Sequence, residues 1–454
     1  MFGLFKAKPP LEPREKAWTE HRMCWLAEQF GLSRLLETPT LIPDYAGIPE
    51  VGNYQEAEQL LDFLRTWMKV QAVNVRLQVH GDIVTPDSIG SYSEDEPTGE
   101  FTVISVQQAD FANRDRLIAS MAVGLARQAI FECGGHEELT TDGGWTVELL
   151  PVFLGLGVFP ANSTVSDSYF DNGTWSSWSI SRHGNLPSRI FGYALALRAI
   201  VRGDQSTDWS THLRPDAEVA FEEGTKYLSK TNDTVFSREC QNRPRHSIAM
   251  DGVLDELKTG SPSRKISAMW ELSNRASGKS FEEQRNIGEA LMDTIRHKEP
   301  QVRATAAETL PFYDRSQHAA QDLCDALTDG NAGVRGASAY SLGAFVGVDD
   351  ETIVHDLVRA LKDDSRQVVN SAVYALTRFG ERAESAVKSI LSRLRRALVD
   401  CNDDEAALFM SALDTISGGR ARTVIQDYFR DSDSEYLEHA EGILEQLRAA
   451  DSSV

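Results

Sequence analysis

The clearest pattern of apolar and polar positions lies in the second half of the chain, where a helical hairpin recurs. Residues 291–310 (LMDTIRHKEPQVRATAAETL), 323–342 (LCDALTDGNAGVRGASAYSL) and 357–376 (LVRALKDDSRQVVNSAVYAL) each hold two apolar helix faces around a polar turn. Leu291, Leu323 and Leu357 correspond in the first helix. Val302, Val334 and Val368 open the second helix, and Leu310, Leu342 and Leu376 close it. The steps are 32 and then 34 residues. One hairpin cannot bury its own apolar stripe, so copies at a near-constant period predict a stacked helical solenoid. The small residues Ala306, Ala307, Ser338, Ala339 and Ala372 let second helices approach closely. The Asp and Ser residues of the turns are expected to cap the helices that follow. Weaker copies flank these three at 264–272, 394–413 and 424–447, the last with the polar side of an end cap.

The first half has a mixed pattern. Residues 17–30 and 54–70 read as amphipathic helices. Residues 73–79 (VNVRLQV) alternate strictly, with Val73, Val75, Leu77 and Val79 on one face, which predicts a half-buried strand. An acidic turn at 94–99 (EDEPTG) precedes a second strand at 101–106 and a long helix at 114–131. Two strands leading into a central helix predict a mixed α/β domain. A very apolar run follows at 149–162 (LLPVFLGLGVFPAN), with Gly155 and Gly157 inside it.

The repeated V-R-x-x-A-x-x-x-L core of the second half resembles the HEAT-repeat family, in particular the short HEAT-like repeats that also occur in phycobilin lyases. The resemblance covers roughly residues 250–450. It implies an all-α solenoid of about five to six hairpins whose surface holds other proteins. The repeat type also raises the alternative of a lyase- or chaperone-like role toward a tetrapyrrole-binding partner.

In the first half, residues 38–45 (TPTLIPDY), 149–162, 186–203 (LPSRIFGYALALRAIVRG), 211–216 (THLRPD) and 226–233 (KYLSKTND) resemble an uncharacterised bacterial family of zincin-like metallopeptidase domains. The similarity spans about residues 20–238. That family carries a helix of the form A-H-E-L-x-H, and a second helix with an H-E pair and an acidic residue before L-L-x-V-F-L-G-L-G. Laid on this pattern, the first His becomes Val123, the Glu becomes Gly124 and the second His becomes Arg127. The H-E pair becomes Gly143 and Gly144, and only Glu148 stands where the family has its Asp. H-E-x-x-H works because two imidazoles one turn apart grip one zinc while the Glu takes a proton from its water. Val and Gly do neither, and Arg127 is a fixed cation. The resemblance thus implies a zincin-like fold with its metal site lost and no cofactor. Arg127 and Glu148 either pair across the old site or both face solvent. If hydrolase chemistry has moved, the residues to carry it are His136, Glu137 and Glu138, with Glu148 beside them, or His183. The chain has no H-E-x-x-H, G-x-S-x-G, Walker A or dinucleotide-binding glycine motif.

Charge narrows the partners. The 454-residue chain carries a net charge of −22. Both halves share it, with 33 acidic and 22 basic residues through position 250, and 35 and 24 beyond. Nucleic acid and anionic membranes both call for a positive surface, so neither is expected as a partner. Lys388, Arg393, Arg395 and Arg396 form a local basic cluster, read as a solvated helix face. The five cysteines are scattered and form no C-x-x-C pair, which fits reduced thiols in a cytoplasmic protein. The start, MFGLFKAKPPLEPREK, holds no apolar run of signal-peptide length. The sequence therefore predicts a tail at 1–16 and a degenerate zincin-like α/β domain at 17–238. A linker at 239–246 (ECQNRPRH) leads to a HEAT-like solenoid at 247–450. The expected function is that of a non-catalytic interaction or scaffold protein with protein partners. A hydrolase with its metal relocated near His136, Glu138 and Glu148 is the alternative.

Overall fold

The computed structural model describes residues 8–70, 75–80, 102–135, 142, 144–171, 176–182, 184–239, 250–273, 281–430 and 434–451. They fall into two units, Met1–Ser247 and Ile248–Val454.

In the first unit, α1 (Pro13–Phe30) starts on a proline, with Glu12 and Glu15 closing a reciprocal capping box. Next come α2 (Leu32–Glu37) and α3 (Tyr54–Met68). The side chain of Asn53 caps α3 by accepting from the Glu56 amide at 3.0 Å. β1 (Val75–His80) pairs in parallel with β2 (Thr102–Gln107), with Leu77 opposite Ile104. The alternation expected along this strand is present: Leu77 is buried and Val75 and Val79 half-buried, while Arg76, Gln78 and His80 are exposed. Val73 and the turn at 94–99 lie outside the described residues.

α4 (Arg114–Glu132) packs against β2, α5 (Trp145–Phe153) and α6 (Val158–Ser163). The last two carry the apolar run, which is buried almost throughout. Gly155 (φ +87°) has a structural reason. A Cβ there would stand 2.3 Å from the Pro39 carbonyl, and the tight approach lets the Leu41 amide donate to the Gly155 carbonyl at 2.7 Å. An antiparallel hairpin, β3 (Val165–Asp171) with β4 (Ser176–Arg182), follows. The apolar periodicity of the sequence does not predict this hairpin. The unit closes with α7 (Ser188–Arg202) packed on α8 (Pro215–Thr231).

Buried charge fixes these helices together. Lys16, fully buried on α1, pairs with Glu20 at 2.9 Å and with Asp233 at 3.6 Å. Glu20 also accepts from the Tyr193 hydroxyl at 2.7 Å and the Val235 amide at 3.0 Å, and Tyr227 donates to Asp233. Each ion therefore has hydrogen-bonding partners, which is what makes such burial tolerable. Arg198 on α7 is buried too. It donates to the Thr38 carbonyl and to the Thr40 hydroxyl at 2.8 Å. Burial, helped by neighbouring Arg202, lowers its pKa to about 9.

The second unit is a helical repeat solenoid. Its hairpins are α9/α10 (Met250–Thr259, Pro262–Ser273), α11/α12 (Phe281–Thr294, Pro300–Thr309), α13/α14 (Gln317–Ala326, Ala332–Leu342), α15/α16 (Asp350–Ala360, Arg366–Phe379), α17/α18 (Val387–Val399, Asp403–Ile416) and α19/α20 (Ala421–Phe429, Ser434–Asp451). From α10 to α18 each second helix packs on the next second helix. The nine register positions read from the sequence, from Leu291 to Leu376, are all fully buried. Ala306, Ala307, Ser338, Ala339 and Ala372 are buried between second helices as expected. A Cβ on Gly343 would stand 3.1 Å from the Ala375 Cα, which measures how close α14 and α16 come.

The turn aspartates do something else than cap a helix. Asp329 and Asp363 each accept a bidentate pair from an arginine of the preceding second helix, Arg303 at 2.8 Å and Arg335 at 2.7 and 2.9 Å. Each also accepts, at 2.8 Å, from the backbone amide two residues on. The N-cap of α14 is instead Asn331, whose side chain accepts from the Val334 amide. The resulting ladder has two rungs. Before it, Lys265 and His297 occupy the corresponding places, and Lys265 donates to the Leu257 carbonyl. After it, the arginine position holds Val369, which is buried.

Candidate functional site

Two places merit a functional reading, one in each unit. In the first unit α4 presents Val123, Gly124 and Arg127, and α5 presents Glu148 one turn beyond Gly144. Val123 is a half-buried part of the apolar core. Gly124 faces β2, where a Cβ would come within 2.9 Å of Ile104 Cγ2, so the helix lies closer to the strand than a side chain there allows. Gly144 sits at the N-cap of α5 with φ +85°, in the left-handed region that favours glycine.

Glu148 is buried, and its carboxylate is committed to a loop. It accepts from the Asn185 amide at 2.7 Å and from the Leu186 amide at 3.0 Å, just ahead of α7. Gly184, at φ +80°, makes room: a Cβ there would stand 2.6 Å from Glu148 Oε2. Burial raises the Glu148 pKa, and the two amides act in the opposite sense. Among the described residues no ion pair joins Arg127 to Glu148, and Arg127 acts on it only through space. The direct pair that was one of the two expectations is therefore not formed, and neither is the alternative of a solvent-facing Glu148. A carboxylate can be satisfied by backbone amides as well as by a cation, and here the loop reaches it.

These positions do not fit a zinc ion. They offer one carboxylate whose two oxygens already have donors, beside a valine, two glycines and an arginine. Gly143, His136, Glu137, Glu138 and His183 lie outside the described residues. Among the described residues no group of three or more His, Cys, Asp or Glu side chains is arranged to hold a metal.

The second place is the outward face of the solenoid's second helices. Tyr340 on α14 and Tyr374 on α16 hold the same register, two residues before Leu342 and Leu376. Both are exposed, 53% and 42%. Their rings stack with centroids 4.8 Å apart and planes 13° from parallel. One turn beyond Tyr374, exposed Arg378 lays its stem against the end of α14, 3.3 Å from where a Cβ on Gly343 would stand. The Tyr374 hydroxyl raises the Tyr340 pKa, with burial adding to it and Arg378 opposing it, so the three polar ends lie within mutual electrostatic reach. Gly336 and Gln367 line the same ledge. Phe312, at the end of the second helix before, is 52% exposed. Of the local basic cluster, Arg393 turns inward to the Leu361 and Asp363 carbonyls, while Lys388, Arg395 and Arg396 are exposed.

Residues 288–377 match the family model of HEAT repeats. The matched stretch holds the two-rung ladder's arginines and both tyrosines. No curated protein matches the sequence. Among solved structures, an engineered protein is 20% identical with a TM-score of 0.30, over 44% of this chain and 96% of that one. A designed armadillo repeat protein in complex with the peptide (KR)4 is 18% identical with a TM-score of 0.31, over 44% and 95%. The karyopherin Kap121p, bound to the extreme C-terminus of the protein phosphatase Cdc14p, is 13% identical with a TM-score of 0.34, over 72% and 35%. The repeat assignment rests on the family model and on the buried register rather than on these distant likenesses. Among the described residues no helix is long and apolar enough to cross a membrane.

Proposed function

We propose that this protein is a non-catalytic interaction or scaffold protein that binds a protein partner on the second-helix face of its solenoid. The observation that carries the reading is the stacked, exposed pair Tyr340 and Tyr374. Two large aromatic rings left in water at the same register of adjacent repeats forgo burial that a folded chain normally gains. Tyrosine is also enriched where proteins meet, since one ring offers apolar area and a polar handle. The first unit is read as a zincin-like domain whose zinc positions have been rebuilt. Supporting this are the close helix–strand packing at Gly124 and the commitment of Glu148 to the loop before α7. Acidic composition favours a protein over nucleic acid or an anionic membrane as the partner. The scattered cysteines, which form no C-x-x-C pair, support a cytoplasmic location.

The test is affinity capture with the full chain from its native cell, run beside the Tyr340→Ser/Tyr374→Ser double variant. Both positions are exposed, so the variant should keep its fold. A protein retained by the wild type and lost by the variant is the expected result. An identical set of retained proteins would remove the tyrosine face as the binding surface.

A further inference from the structure

The chemistry of the ledge points to one feature of its partner. Tyr340, Tyr374 and Arg378 are all hydrogen-bond donors at their tips. Arg378 is exposed, and among the described residues it has no carboxylate within ion-pair distance. Most arginines nearby do: Arg303 and Arg335 sit in the ladder, Arg366 approaches Glu405 at 3.8 Å and Arg382 approaches Asp350 at 3.4 Å. The side chains beside the trio on α16 are neutral, with Gln367, Asn370, Ser371 and Thr377 on or near the same face. In an acidic solenoid this is a small patch that sets an exposed cation beside an apolar double ring.

We propose that Tyr340, Tyr374 and Arg378 form a notch that reads a single carboxylate side chain on an extended segment of the protein partner. This rests on the surface reading above and adds the partner's chemistry. A guanidinium gives a carboxylate two parallel donors, and the phenol hydroxyl whose proton is not given to the other tyrosine supplies a third. The paired rings take the apolar side chains next to that carboxylate. The argument for one carboxylate rather than an acidic run is the unit's own charge, 35 acidic against 24 basic residues beyond position 250. At physiological salt the screening length is about 8 Å, so a contact with Arg378 survives while a longer acidic stretch meets the surrounding acids.

The experiment selects random dodecapeptides displayed on phage against the full chain at physiological salt, then measures a selected peptide by fluorescence anisotropy. The expected result is a shared Asp or Glu in the selected sequences. Changing that residue to Asn or Gln, or the protein by Arg378→Gln, should weaken binding about ten-fold, as losing a charged hydrogen-bond pair does. Peptides that share no carboxylate, or that bind Arg378→Gln as tightly as wild type, overturn the inference. If those peptides are still lost by Tyr340→Ser/Tyr374→Ser, the surface reading stands without it. If no peptide is enriched at all, both fall.

Discussion

Glu148 shows at the scale of one residue how backbone amides satisfy a buried carboxylate. Its carboxylate now ties α5 to the start of α7 through two amides. Glu148→Leu should cost about 2–4 kcal/mol by leaving buried donors unpaired, read as a shift in chemical denaturation. Arg127→Met should add to that loss independently, because the two side chains do not share a contact. A double variant much more stable than additivity predicts would restore the pair between them. The pH dependence has a definite sign. Burial raises the Glu148 pKa, so the folded state keeps that proton to higher pH than the unfolded chain does. Ionising it then costs stability. Stability relative to Glu148→Gln should fall as pH rises from about 4 and level off above the folded pKa. Urea midpoints across that range check it, and a wild-type advantage growing with pH would contradict it. The loop that meets Glu148 was not legible in the sequence, since Gly184–Leu186 is distant in the chain and carries no side-chain signal. Cys324 is a simpler case. Burial and nearby Asp356 push its thiol up to about 12, so thiol reagents should modify exposed Cys133 and Cys401 first in the folded protein.

At the scale of the element, the hairpins follow from the leucine and valine registers because core burial repeats with the helix period. Leu342 is fully buried, and Leu342→Ala should destabilise by about 2–5 kcal/mol. The ladder was not legible in advance. Arg303 and Arg335 were visible in the V-R core, and Asp329 and Asp363 in the turns, but which side chain meets which depends on the stacking of neighbours. The Arg335 hydrogen bond chiefly lowers the Asp363 pKa. Its stabilisation is present above the usual aspartate value of about 3.9 and is lost as pH falls through the lower folded value. Asp363→Asn should flatten that part of the acid unfolding profile. The tyrosine ledge was hidden for a related reason. Tyr340 lies between buried Ala339 and Ser341, and periodicity alone does not tell a ring on the outer edge of a packed helix from one inside it.

At the scale of the whole molecule, the chain divides into two compact units. Each hairpin of the second contacts mainly its sequence neighbours, so residues 248–454 alone should be soluble and strongly helical by far-ultraviolet circular dichroism. The proposed function places binding on the solenoid rather than on the first unit. It is tested most directly by using residues 1–247 and 248–454 as separate baits in extracts of the native cell. The account predicts that 248–454 retains the same partner as the full chain and that Tyr340→Ser/Tyr374→Ser in this fragment releases it. A partner held by residues 1–247 alone, with nothing retained by 248–454, would contradict it.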